Sequence, residues 1–146
     1  MRNEILSRTA EHALRAALYL GRRRADGLVP AAEVAAALGT PPNYTAKTLR
    51  QLARKGLLRS VRGPHGGFAL SVEAADLSVA RIVHAVDEVA ERPAVCLLGD
   101  RRCDGAHPCG AHRRWAELQE LTGELLERTT LGDLLAEGAA VAALPR

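Results

Sequence analysis

The chain has 146 residues, which suits one domain, or one small domain with an added arm, and 47% apolar residues are enough to bury a core. Arginine or glutamate breaks every apolar run well before the ~18 residues a membrane span needs, and the only aromatics, Tyr19, Tyr44, Phe68 and Trp115, are too few for a base-stacking single-strand binder. The net charge of +3 hides a split: residues 1–67 carry twelve Arg/Lys against four Asp/Glu, and residues 68–146 carry eight against thirteen, so the first half is the one suited to a polyanion.

The opening Met1-Arg2-Asn3-Glu4-Ile5-Leu6 has no charged stretch leading into an apolar core and no small-residue cleavage site, so a cytoplasmic location is expected. Residues 5–24 read as a helix, with Ala10, Ala13, Leu14, Ala17, Leu18 and Leu20 at helical spacing and Arg22-Arg23-Arg24 in the last turn. Asp26-Gly27 breaks it. Pro30 opens a short helix from Ala31 to Leu38, and Gly39 stops it. After Thr40-Pro41-Pro42, a third helix runs from about Asn43 to Lys55, ends at Gly56 and has Leu49, Leu52 and Ala53 on its buried side. Leu57 to Arg62 reads as a strand, Gly63-Pro64-His65-Gly66-Gly67 as a turn, and Phe68-Ala69-Leu70 as the returning strand. Ser78 caps a helix through about Val89, with Val79, Ile82, Val83 and Val86 on one face. Residues 90–111 fit no regular element. A long helix over 111–128 carries Trp115, Leu118, Leu121, Leu125 and Leu126, Thr130 to Leu135 reads as a last short helix, and the tail from Glu137 is expected to fray.

Helix, turn, helix and a glycine-rich hairpin make a winged helix-turn-helix. From Thr40 to Arg62 there are six basic residues and no acidic one. The third helix offers Asn43, Tyr44, Thr45, Lys47, Thr48 and Arg50 to a major groove, where its N-terminal residues are the ones expected to touch bases. Arg59, Arg62 and His65 sit on or near the wing within reach of phosphates or a minor groove, and Gly66 lets the wing backbone approach DNA closely. One such module covers few base pairs, so a homodimer on a palindromic double-stranded operator is expected, with Leu118, Leu121 and Leu125 as the pairing stripe. The alternative is a stripe that folds back on its own domain.

All three cysteines lie within 14 residues, as Cys96-x6-Cys103-x5-Cys109-x2-His112. An odd, clustered count speaks against a disulfide framework and for metal ligands or a thiol switch. Three thiolates and an imidazole suit an iron–sulfur cluster or zinc, and the lack of a C-x2-C pair favours the cluster. Arg101, Arg102 and His107 put positive charge nearby, which favours thiolates.

The chain resembles the Rrf2 family of winged-helix transcription regulators, of the IscR/NsrR type. The resemblance runs from about residue 4 to residue 136. Ala10-Glu11-His12-Ala13-Leu14-Arg15, Asn43-Tyr44-Thr45-Ala46-Lys47, Ser60 to Leu70, Ile82 to Asp87, the three cysteines and Thr130 to Leu134 carry it. It implies a homodimer whose long helices cross, and an iron–sulfur cluster, two-iron or four-iron, on Cys96, Cys103 and Cys109. The fourth ligand is then either His112 or Glu11 from the other subunit's first helix, with His12 and His107 as spare candidates. Six residues between Cys96 and Cys103, where five are common, leave the cluster type open. The expected product is a cluster-dependent repressor sensing redox state, nitric oxide or iron–sulfur status. A zinc-stabilised or thiol-switch regulator is the alternative, and an electron carrier a more distant one because ferredoxin spacing is absent. The sequence holds no phosphate loop, nucleophile elbow or zinc-protease motif, so no enzyme is expected.

The expected architecture is mainly α. Residues 1–90 form a winged helix-turn-helix domain, and 91–111 form a cysteine-bearing cluster loop. Residues 112–136 supply a long C-terminal dimerisation helix with a short final helix, and 137–146 a flexible tail.

Overall fold

The computed structural model describes residues 5–87, 96–99 and 104–138. Helix α1 spans Arg8–Arg22 and starts where the Ser7 hydroxyl accepts from the Ala10 N–H at 3.0 Å. Its inner face is built largely of alanines, with Ala10, Ala13, Ala16 and Ala17 buried beside Leu18 and Leu20. Small side chains let other elements approach closely, and α1 packs against the second, third, fourth and sixth helices and the second strand of the wing. The helix is shorter than its periodicity predicts: Arg23 caps it and Arg24–Asp26 tighten into a 3-10 turn. Arg23 is held by Asp26 and Glu33, and Arg24 by Glu73, so two of the three arginines in the run are paired with carboxylates, while Arg22 donates to the Gly138 carbonyl.

Helix α2 (Ala31–Leu38) and helix α3 (Pro42–Arg54) form the helix-turn-helix. Gly39, at φ 64°, takes the left-handed conformation that ends α2, and the Gly39 and Thr40 N–H groups close back on Ala36 and Ala35. Strands β1 (Leu58–Val61) and β2 (Gly67–Leu70) pair antiparallel with Leu58 opposite Leu70 and Val61 opposite Gly67. A feature absent from the sequence reading completes the wing: Val29 bridges Phe68, with both backbone bonds made at 2.9 and 2.8 Å. This ties the segment ahead of α2 to the hairpin. A Cβ on Gly66 would lie 2.1 Å from the Val61 carbonyl oxygen, so that glycine is required by the wing's own packing.

Helix α4 runs over Val79–Val86, capped by Ser78. It stops short of the expected Val89: Asp87 leaves helical geometry and its carboxylate accepts from the Ser7 hydroxyl at 2.6 Å. Helix α5 spans His112–Arg128. Leu126 packs on the small cluster of Ala10, Val79 and Val83, whereas Leu118, Leu121 and Leu125 are 52%, 65% and 64% exposed. Helix α6 (Leu131–Glu137) begins with a capping box between Thr130 and Asp133. It returns to the first core: Leu131 is fully buried there and its N–H donates to the Leu77 carbonyl at 2.7 Å. Among the described residues no helix is long and apolar enough to cross a membrane.

Candidate nucleic-acid interface and thiol segment

At ~100° per residue, Asn43, Lys47, Arg50 and Arg54 fall within an arc of about 60° on α3, and all four are exposed. The opposite side carries Thr45, Thr48, Leu49 and Leu52, all at 0–1% exposure. Burying the two leucines contributes about 1.5–3 kcal/mol each, which holds α3 in one rotation.

That rotation corrects the reading of two residues. Thr45 and Thr48 do not face a groove. The Thr45 hydroxyl is 2.8 Å from that of Thr40, and the Thr48 hydroxyl donates to the Tyr44 carbonyl at 3.1 Å, so both satisfy their polar atoms inside the protein. Tyr44 is half-buried. Its ring stacks on His12 at 4.7 Å, and its hydroxyl lies 3.5 Å from the Arg8 carbonyl and the Thr9 hydroxyl, so it ties α3 to α1. His12 is buried, and desolvation, helped by the charge of Arg15, lowers its pKa. Its Nε2 has no hydrogen-bond partner among the described residues. The spacing of 45 and 48 with Leu49 and Leu52, in steps of three and four, is the signal that could have assigned the threonines to the core.

The wing extends this surface. Arg59, Arg62 and His65 are exposed, and Arg50 reaches a cleft lined also by Pro30, Ser60, Arg62 and Gly63. Among the described residues, none of Lys47, Arg50, Arg54, Lys55, Arg59 and Arg62 pairs with a carboxylate, in contrast to Arg23 and Arg24. Six uncompensated cations flank one helix and one hairpin. That is the electrostatic footprint of a phosphate-tracking surface.

The thiol segment enters α5. Cys96 is buried, and its sulfur lies 3.6 Å from that of Cys109. Two thiolates on one tetrahedral ion with bonds of about 2.3 Å stand about 3.8 Å apart, so this pair fits a shared metal centre. The Leu98 N–H points at the Cys96 sulfur at 3.4 Å, a contact of the kind that tunes metal-bound sulfur. The His112 N–H donates to the Cys109 carbonyl, which puts His112 on the first turn of α5 just beyond the thiol. Cys103, Arg101 and Arg102 lie outside the described residues. Glu11 is exposed on α1, in a cleft with Arg8, His12, Arg15, Thr40 and Tyr44. Among the described residues no three candidate ligands gather into one site, and Glu11 is not brought to Cys96 and Cys109 within this copy. His107 is engaged with Asp104, its N–H donating to that carboxylate at 2.7 Å and its ring nitrogen standing 3.3 Å away.

The family model Rrf2, described as "Iron-dependent Transcriptional regulator", matches residues 6–137. The HTH-type transcriptional regulator IscR of Yersinia pseudotuberculosis is 32% identical over 130 residues, which cover 89% of this chain and 78% of that one. Among solved structures, IscR of T. potens superposes with a TM-score of 0.73 at 23% identity, covering 97% of this chain and 92% of its own. CymR, the global cysteine regulator of B. subtilis, superposes with a TM-score of 0.74 at 21% identity, covering 94% and 98%. These two structural likenesses establish the winged-helix fold.

Proposed function

From a chain that belongs to the Rrf2 family of helix-turn-helix transcriptional regulators, we propose a homodimeric repressor whose hold on a palindromic operator depends on an iron–sulfur cluster. The observation that carries the cluster reading is the 3.6 Å approach of the Cys96 and Cys109 sulfurs at the start of α5. Cys96, Cys103 and Cys109 would hold the group, and the fourth ligand would be His112 or Glu11 from the second copy. When bound, the cluster supplies a centre reactive toward oxygen, nitric oxide or a change of redox state, or one lost when iron–sulfur supply fails.

The chain's own residues do the rest. Through their sulfurs, Cys96 and Cys109 join Cys96 and the residues that follow it to the segment leading into α5. The stripe of Leu118, Leu121 and Leu125 pairs α5 with its copy. Glu11 shares α1 with His12, and His12 stacks on Tyr44 at the start of α3. A pull on Glu11 therefore bears directly on the recognition helix. Two recognition helices must sit about one DNA turn apart, so a small change in their spacing costs much affinity.

A second reading rests on the same sulfur contact, which also suits zinc or a thiol pair. Anaerobic purification with absorption spectra and iron, sulfide and zinc analysis separates the two. Visible bands with iron and sulfide, abolished in Cys103→Ala, are expected. A colourless protein, with zinc or with oxidisable thiols alone, refutes the cluster. Comparing the spectra of Glu11→Ala and His112→Ala identifies the fourth ligand, and two unchanged spectra rule out both. Operator affinity of the cluster-loaded and stripped dimers tests the coupling, and equal affinities refute it.

A further inference from the structure

The groove side of α3 carries a restricted set of chemistries. Asn43, Lys47, Arg50 and Arg54 face outward, half-buried Ala46 lies about 40° beyond that arc, and α3 contains no Asp or Glu. A surface without carboxylates has no charged acceptor for the amino group of cytosine. Lysine and arginine donate to the O6 and N7 acceptors of guanine, and asparagine suits adenine.

The cations divide by position. Arg50 is turned into the cleft beside Ser60, Arg62 and Gly63 of the wing. Arg54 is in the last turn of α3, far from the N-terminal residues that touch bases in helix-turn-helix proteins. Lys47 stands one turn after Asn43, exposed and without a carboxylate partner among the described residues. Four residues at 1.5 Å each separate the two by about 6 Å, or roughly two base steps of 3.4 Å.

We infer that Lys47 is the residue through which this chain specifies guanine in each operator half-site, with Asn43 reading an adenine roughly two base steps away. This inference rests on the DNA-binding reading above and goes beyond it by naming the base and the side chain.

Enrichment from a randomised duplex library by the purified dimer, wild type against Lys47→Gln, tests it. The wild type selects a symmetric motif with guanine at one position of each half. The glutamine variant shifts that position toward adenine, by on the order of tenfold in preference, and leaves the other positions unchanged. Replacing that guanine with 7-deazaguanine, which lacks the N7 acceptor, weakens wild-type binding about tenfold and leaves the Lys47→Gln affinity unaltered. An unchanged motif, bound uniformly more weakly and with a log–log salt slope lower by about 0.9 per lost contact, makes Lys47 a phosphate anchor and overturns the inference. If no duplex is bound in a salt-dependent manner, the DNA-binding reading itself fails. Lys47 is exposed, so the substitution leaves the core intact.

Discussion

Leu121→Ala probes the pairing face of α5. Leu121 is 65% exposed in the single copy, beside Leu118 and Leu125. Truncation to alanine removes three carbons, worth about 2.4 kcal/mol if all were taken from water at ~0.8 kcal/mol each. Because about two-thirds of the side chain is still wet before association, the loss is about 1.5 kcal/mol per copy. A two-fold interface counts every substitution twice, giving about 3 kcal/mol and a dimer dissociation constant raised on the order of 100-fold. Sedimentation velocity from nanomolar to micromolar concentration reads this directly. A wild type that stays monomeric at micromolar concentration, or a variant whose dissociation constant does not move, refutes the pairing of α5. Glu124→Ala, on the same helix and half-exposed, controls for loss of helicity.

Thr48→Val keeps the side chain's shape and removes its bond to the Tyr44 carbonyl. It should cost about 0.5–1.5 kcal/mol in denaturant unfolding and leave the selected DNA motif unchanged; a changed motif would return Thr48 to the groove. Gly66→Ala forces a Cβ to 2.1 Å from the Val61 oxygen. The hairpin must open, so operator affinity should fall at least tenfold while the helical circular-dichroism signal persists; wild-type affinity would show the wing to be dispensable. Asp133 accepts from the Thr130 N–H and then its hydroxyl, and these bonds hold its carboxyl below the ordinary carboxylate range. Its contribution is therefore complete above about pH 4 and lost as pH falls through the depressed value. The gap in melting temperature between wild type and Asp133→Ala should shrink on acidification, and a constant gap would contradict this assignment.

The helix-turn-helix was legible because its limits are set by local backbone chemistry. Pro30 starts α2, Gly39 ends it in the left-handed region, and Gly56, with φ 75°, follows α3. The wing was legible from a glycine-rich turn between two apolar runs. Helix α1 is shorter than its periodicity predicts at both ends, because the Ser7 hydroxyl caps it at Arg8 and the chain tightens into a 3-10 turn at Arg24–Asp26, neither of which a periodicity count includes. Among the candidate base contacts, Thr45 and Thr48 are buried in the core. Threonine is small enough to bury and polar enough to touch DNA, so composition does not choose between the two; the packing of Leu49 and Leu52 does.

By itself the amino-acid order determined the element sequence, the segregation of cations into the first half and the clustering of three thiols, since these depend on neighbours along the chain. Only the tertiary structure decided that Val29 joins the wing, that Leu131 returns to the N-terminal core, that Tyr44 is tied to His12 and that Cys96 meets Cys109 across thirteen positions. Each of those is a contact between distant segments. Their energy comes from apolar area and hydrogen bonds that exist only once several elements have closed on one another.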